Sequence, residues 1–597
     1  MIVRMKKAII MVQAKDSTAV VEKLRSLGVL HVEHIQEPKS KDISIINDGI
    51  SAIGEALGIL SGSVISAGAP LKEAPPISLS PLSIAKHVID SSKRLDQLRE
   101  YSRHLEVTID QYAGWRDFDP EKISSLAGKN IFVRFYQIPK KQLKNLPAGA
   151  VVKTISIVKG VANVIIVSRE KASVPFKEVG LPKMSIKATR QRLAEDAQVI
   201  KLIEEDIAAN ARHKNLLLET KEQLETQLQF SRAVNGMGLI KRISYIAGYI
   251  PNNAQLPLLQ NAKTEKWGVT INDPSEEDSV PVLIQNPRWI SLISPVFKFL
   301  EVLPGYRELD ISLLFLIFFS IFFGILIGDA GYGLTYFIIT YLLEKQAKKK
   351  GRDTSSFLLF YILSFCAIMW GLFTGTFFGQ QWFLNAGYQP LIPALNDKKV
   401  FQRFCFFLGA FHLSLAHAWR AKIKLPSFSA LGDVGWGCIL WAAFFVARML
   451  ILRDPFPVFA KWLIISGIAL VILFTNPQKN VLKSVGEGLG ALALGLMNNF
   501  TDVVSYIRLF AVGIAGVAIA DAFNSMAGMV GTGNLLAIIG SVLIVIIGQA
   551  LGMVLGPVSV LVHGVRLNVL EFSGHANISW SGSPYKPLKE LKKGDIL

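Results

Sequence analysis

The chain has 597 residues, 51% hydrophobic and 18% charged, with a mean hydropathy of +0.37, which is too apolar for a wholly soluble protein of this size. The net charge of +18 is shared, since residues 1–309 hold 42 Lys and Arg against 33 Asp and Glu and the remainder hold 22 against 13. No basic stripe with interleaved aromatics marks the first region, so a nucleic-acid partner is excluded, and anionic lipid headgroups account for the charge.

The chain opens with an apolar segment, Ile2 to Val12, then Asp16 or Ser17 as an N-cap, a helical pattern, Gly28 as a stop and the alternating Val29 to Ile35. That order reads as strand, helix, strand. The run Ala8 to Val12 is too short for a signal-peptide core and is followed at once by Lys15 and Asp16, so the N-terminus is expected in the cytoplasm. A heptad seam follows at Ile84, Val88, Leu95, Leu98, Leu105, Ile109 and Tyr112, and a second at Ile186, Leu193, Ile200 and Ile207, predicting an antiparallel coiled coil. Strand-rich sequence lies between the seams, and a Gly- and Pro-rich return with Tyr245 to Pro251 follows them. The expected arm is an N-terminal cytoplasmic α+β dumbbell over 1–309: a proximal lobe (1–80 and 233–309), the coiled coil (about 84–115 and 186–232) and a distal lobe (about 116–185).

From Asp310 eight apolar segments follow, at about 311–327, 332–344, 355–377, 400–418, 433–452, 458–475, 488–526 and 534–573. They predict an α-helical polytopic membrane domain over 310–573 with eight transmembrane helices. With the N-terminus inside, the loops Lys345 to Arg352, Arg420 to Lys424 and Lys479 to Lys483 and the tail 574–597 are cytoplasmic and basic, and Gln380 to Leu395, outside, carries no charge. Arg448, Arg453 and Lys461 run against that trend. The last two segments, at 1.5 Å per residue, extend almost 60 Å and must tilt, break or leave the bilayer. Cys366, Cys405 and Cys438 fall within these segments without zinc-type spacing and read as packing residues.

On the seventh segment Asn498, Thr501, Ser505 and Arg508 recur at helical spacing, and on the eighth Gln549, Gly552, Gly556, Ser559, His563 and Arg566 do the same. A guanidinium in mid-membrane costs about 2.5 to 3.5 kcal/mol on insertion scales and stays protonated. It needs a carboxylate or water, and Asp502 for Arg508 or Glu571 for Arg566 would supply a purely structural pair. Two such arginines on polar stripes of neighbouring long helices favour an ion path over structural pairing alone. Asp502 falls about 120° around the helix from Arg508, facing elsewhere, and His563 reads more readily as packing than as a relay. GDAGYG (Gly328 to Gly333) is a tight turn, and Gly371, Gly375 and Gly379 are spaced as a small-residue packing face. GEGLG (Gly486 to Gly490) follows no strand and no Walker motif occurs, so no nucleotide is expected to bind.

At SLGVLHVE (Ser26 to Glu33), YRELD (Tyr306 to Asp310), GDAGYG, DVVSYIRLFAVGIA (Asp502 to Ala515) and HGVRLNVLEF (His563 to Phe572) the chain resembles subunit I, or a, of the V-type and archaeal A-type rotary ATPases over nearly its full length. The resemblance implies a non-catalytic stator subunit without cofactor or metal. Arg508 would face the carboxylates of a rotating proteolipid ring between two offset half-channels for H⁺ or Na⁺, with Arg566 beside it. Asp502, Glu571, Ser505, His563 and Gln549 are the residues expected to line the ion path. It further implies peripheral stalk subunits of E and G type and a central stalk connector as partners, and, at this length, a multi-pass protein of a prokaryotic plasma (inner) membrane. Gly556 and Gly516 depart from the glutamate and histidine of many eukaryotic relatives. The competing reading is a secondary transporter with a cytoplasmic regulatory domain, which should show internal repeats and paired helix breaks.

Overall fold

The computed structural model describes residues 1–63, 80–145, 151–158, 160–169, 176, 178–351, 353–379, 390–475, 481–531 and 533–590. Most of the loop from Gln380 to Leu395, and Arg352, Lys479, Lys592 and Lys593, lie outside the described residues.

The chain opens with β1 (Met5–Gln13), α1 (Ser17–Leu27) and β2 (His31–Glu33). Gly28 stops α1 at φ 64°, its N–H donating to the Leu24 carbonyl, a left-handed conformation that glycine adopts without a Cβ penalty. After α2 (Lys41–Ser63) and α3 (Pro81–Tyr112), strands β3 (Phe132–Pro139), β4 (Val151–Val158), β5 (Val161–Ser168) and β6 (Glu178–Val179) make a sheet of order β4-β5-β3-β6. The helices α4 (Ile186–Asn210) and α5 (Lys214–Asn235) return to the first sheet, to which β7 (Gly238–Ile240), β8 (Ile243–Pro251) and, after α6 (Gln255–Thr264), β9 (Gly268–Asn272) are added. Its order is β2-β8-β1-β9 with β7 on β8. The YIAGYIP segment therefore lies at the heart of this sheet, running antiparallel to β1 from Met5 opposite Pro251 to Gln13 opposite Ile243.

Between the sheets α3 and α4 run antiparallel: His87 lies 2.8 Å from Asp206, while Tyr112 and Ile186 share a core with Trp115 and Phe135. Heptad positions Ile84, Val88, Leu95, Leu105, Ile186 and Ile207 are buried. A 23-residue helix, α2, occupies sequence expected to belong to the lobe. Its Ile53, Ala56, Leu57 and Leu60 join Val88, Leu95 and Leu217 in one core, so its apolar face is used in packing within the arm.

The tail returns to the first sheet. Leu588 is buried among Val20, Val21, Leu24 and Leu30, and its N–H donates to the Leu30 carbonyl. The Lys586 N–H donates to His31 Nδ1 at 2.9 Å, the Tyr585 hydroxyl donates to the Val29 carbonyl, and Pro584 bridges Val282. At the membrane-domain junction the Glu308 carboxylate accepts the Ser579 N–H at 2.8 Å and the Gly305 N–H at 2.6 Å. The tail is thus an integral part of the lobe.

The second half holds α7 (Ser312–Ile327), α8 (Ala330–Lys349), α9 (Phe357–Thr374), α10 (Lys398–Lys424), α11 (Ser429–Leu452), α12 (Val458–Phe474), α13 (Val481–Ser505), α14 (Ile507–Val530) and α15 (Leu535–Ser559). Among the described residues five helical stretches are long and apolar enough to cross a membrane: Lys41–Gly62 in the arm, Phe357–Thr374, Ser429–Leu452, Val485–Val530 and Leu535–Ala576. The helices Ser312–Ile327 and Val458–Phe474 are apolar but shorter. Apolar α7 is the hub, with Phe315, Phe322 and Ile325 wholly buried.

GDAGYG is more than a turn. Asp329, wholly buried, caps α8: Oδ1 accepts N–H groups from Gly331 (2.7 Å), Tyr332 (3.1 Å) and Phe378 (2.8 Å), and Oδ2 accepts that of Gly379 at 2.7 Å. One carboxylate so ties the α7–α8 turn to the segment after α9. The glycine series needs correcting: only Gly371 lies within α9, where an added Cβ would sit 2.1 Å from the Ala330 nitrogen. Gly375 and Gly379 take φ of 73° and 72° beyond the helix, because the chain turns there to reach Asp329 and a left-handed backbone cannot continue a helical face.

Candidate functional site

Arg508 stands at a joint, two residues past Tyr506, where α13 passes into α14, instead of within one uninterrupted helix. The Tyr506 N–H reaches back to Val503 and the Leu509 N–H to Tyr506, i to i−3 bonds that tighten the turn. Tyr506 is fully buried, with its hydroxyl 2.7 Å from His412 Nδ1 on α10. His412 in turn stacks between Phe318 and Phe572, at centroid distances of 3.8 and 4.3 Å.

The eighth segment changes its winding where the arginine sits. Pro557 lies inside α15, and Val560–Gly564 and Leu567–Phe572 are π-helical. Residues five apart lie about 140° apart around an α-helix, but a π turn brings them into line. Arg566 Nε therefore lies 3.4 Å from Glu571 Oε1. Arg508 Nη2 reaches the same oxygen at 3.3 Å. Glu571 is 4% exposed, Arg508 23% and Arg566 54%, and the buried Glu571 Oε2 has no hydrogen-bond partner among the described residues. Both arginines share one carboxylate, which leaves one uncompensated positive charge at the surface of the last two helices. That surface is otherwise apolar and exposed, through Val554, Val558, Leu561 and Val562.

Polar clusters flank this trio. Toward the arm, Asp502 Oδ2 meets His575 Nε2 at 3.1 Å, His575 Nδ1 meets His417 Nε2 at 2.9 Å, and His417 Nδ1 lies 3.5 Å from Asp433 Oδ1. Asp433 is bound by Arg420 at 3.3 Å and Lys424 at 2.7 Å. On the far side Gln549 accepts from the Tyr332 hydroxyl at 2.7 Å and donates to Asn524 Oδ1 at 3.0 Å. Asn524 is 16 residues past Arg508, about 24 Å along the helix.

Of the residues singled out in the sequence, Arg508, Arg566 and Glu571 come together, Asp502 turns away from Arg508 to His575, and Gln549 stands in the distant cluster. Ser505 and His563 are half-buried beside the trio in sequence. An added Cβ at Gly556 would sit 2.7 Å from the Ile327 side chain, whereas at Gly516 its nearest neighbour is 4.0 Å away. Sequence reasoning missed His412, His417, Asp433, Tyr506 and His575. Two histidines within the apolar middle of α10, and an aspartate one turn into apolar α11, were a usable signal, because ionisable groups in such helices are costly and so are rarely idle. Among the described residues no cluster of three or more His, Cys, Asp or Glu is arranged to hold a metal ion.

An apolar helical domain that holds a shared arginine–carboxylate trio and carries a large α+β arm defines a polytopic membrane protein with ion pairs between its helices. No family model matches the chain. The V-type ATP synthase subunit I of Borreliella burgdorferi is 30% identical over 631 residues, covering 99% of this chain and all of that protein. The V-type ATP synthase subunit I 1 of Treponema pallidum is 28% identical with 99% and 100% coverage, and the A-type ATP synthase subunit I of Methanocaldococcus jannaschii 25%, covering 85% and 82%. A solved cytoplasmic N-terminal domain of subunit I, homolog of subunit a, of V-ATPase matches 45% of this chain and 99% of its own at 14% identity; its TM-score of 0.24 is too low to support an argument about fold. The chain belongs to the V-type ATP synthase subunit I family. It is a membrane-embedded subunit of a rotary ATPase and acts within a complex of several subunits.

Proposed function

We propose that this chain is the stator through which ions cross the membrane beside a rotating ring of proteolipid subunits, and that it performs no catalysis of its own. The observation that carries the reading is the charge count at the trio: two guanidinium groups around the single Glu571 carboxylate leave one net positive charge on an exposed apolar face. An opposite charge lowers a carboxylate's pKa, so a ring acid arriving at Arg508 and Arg566 gives up its ion there and reloads after passing. The flanking clusters, Asp502 with His575 on one side and Gln549 with Asn524 on the other, support two half-channels offset about that charge. A fixed cation between them blocks direct leakage.

In this reading the eight apolar segments are eight spans, both termini and the arm lie in the cytoplasm of a prokaryote, and the distal lobe binds peripheral stalk subunits. The short α7 suits a central span, since most of its side chains are buried by protein. The test is Arg508→Ala in the assembled, vesicle-reconstituted complex. ATP-driven ion transport is expected to stop; transport at the unmodified rate with intact assembly refutes the proposal.

A further inference from the structure

Resting on that proposed function, we propose that the ion entering from the arm side is the proton, relayed along Asp433, His417, His575 and Asp502. The wire is built from four separate elements. Asp433 lies one turn into α11, His417 two turns before the end of α10, His575 just after the second π turn, and Asp502 in the last turn of α13. His417 and His575 are 6% and 8% exposed in their side chains, and Asp433 1%. The rings contact each other through Nε2 of one and Nδ1 of the other at 2.9 Å. The outer nitrogen of each then faces a carboxylate, Asp433 at 3.5 Å and Asp502 at 3.1 Å.

An open cleft of about 640 Å³ lies at the mouth, lined by Arg307, Arg420, Lys424, Gly574, Asn577 and Ser579. Arg420 and Lys424 bridge cleft and wire: both bind Asp433, and Arg420 Nη1 donates to the His575 carbonyl at 2.9 Å. A proton on Asp433 passes to His417 Nδ1, His417 releases the one on Nε2 to His575 Nδ1, and His575 releases the one on Nε2 to Asp502. Each ring gains one proton and loses one, and its charge is restored. Reorientation of the two rings resets the wire for the next proton. Imidazole suits this because its two nitrogens accept and donate in turn. A hard monovalent metal ion would need oxygen ligands, but the middle links are nitrogens and two cations flank the entrance. Asp502 delivers the proton about 9 Å along the helix from Arg508, on the arm side of the trio.

The experiment uses the whole complex in vesicles and compares the unmodified protein with His417→Gln, His575→Gln and His417→Ala. ATP-driven acidification is expected to fall at least tenfold in all three and to recover in part when imidazole is added to His417→Ala, a rescue that a packing role would not give. In the unmodified complex, transport should proceed without Na⁺ and collapse with a protonophore. Wild-type rates in both glutamine variants, or transport that requires Na⁺ and survives a protonophore, overturn the relay. The unmodified complex decides the ion even where a variant fails to assemble. If Arg508→Ala abolishes transport while the histidine variants keep it, the relay fails and the stator reading stands.

Discussion

Replacing Asp329 tests whether the GDAGYG turn is held by one carboxylate. Its oxygens accept four backbone N–H groups at 2.7 to 3.1 Å in a site with no solvent exposure. Asp329→Ala leaves those donors without a partner, and each buried, unpaired donor costs about 1 to 3 kcal/mol. Even at the low end the sum is about 4 kcal/mol, a large part of the stability of a typical domain. Asp329→Asn keeps Oδ1 and its three bonds but points an amide N–H at the Gly379 N–H, so about 1 to 3 kcal/mol should be lost. Equilibrium unfolding of the detergent-solubilised chain, followed by helical circular dichroism during SDS titration, would rank the variants. The expected order of stability is wild type, Asn, Ala; an alanine variant within about 0.5 kcal/mol of wild type would show that these bonds do not carry the turn.

Two further changes follow from the packing. Gly371→Ala should cost at least about 1 to 3 kcal/mol through overpacking, since its Cβ would meet the Ala330 backbone at 2.1 Å, whereas Gly437→Ala, with open space around it, should be neutral or slightly stabilising in the same titration. The docked tail should loosen in acid. Burial, with the nearby charges of His34 and Lys586, lowers the His31 pKa, and its Nδ1 must be unprotonated to accept the Lys586 N–H. A base with a lowered pKa contributes its full stabilisation above the unfolded value of about 6.5 and loses it as pH falls toward the folded value. Hydrogen exchange at 582–590, corrected for intrinsic rates, should therefore quicken between about pH 7.5 and 5.5 in the wild type and be fast at both in His31→Ala; unchanged wild-type protection would refute this.

Local pattern carried much of the architecture into view. Apolar windows marked the described helices α7 to α15, and helical spacing of polar residues singled out Arg508 and Arg566. What escaped depended on winding or on distant contacts. Arg566 and Glu571 pair through a π turn that a regular α period cannot suggest, and Arg508 meets Glu571 across 63 residues of chain. His417 and His575 are 158 residues apart, and nothing in either neighbourhood announces the other. Helix α2 was hidden because its apolar residues are shared between α3 and α5 instead of forming a heptad seam. The tail reads as a basic segment, and Leu588 alone gives no sign of the core it enters.

That tail also bears on mechanics. The backbone passes between lobe and membrane helices twice, outward-bound near Leu309 and homeward near Ile578, with Glu308 and Ser579 fastened together where the two passages run side by side. A lone covalent tether would let the halves swivel like a weathervane, while a paired strap, anchored at Leu588, opposes that twist. In the stator role proposed above, such resistance to swivelling would let the motor's reaction torque reach its mountings.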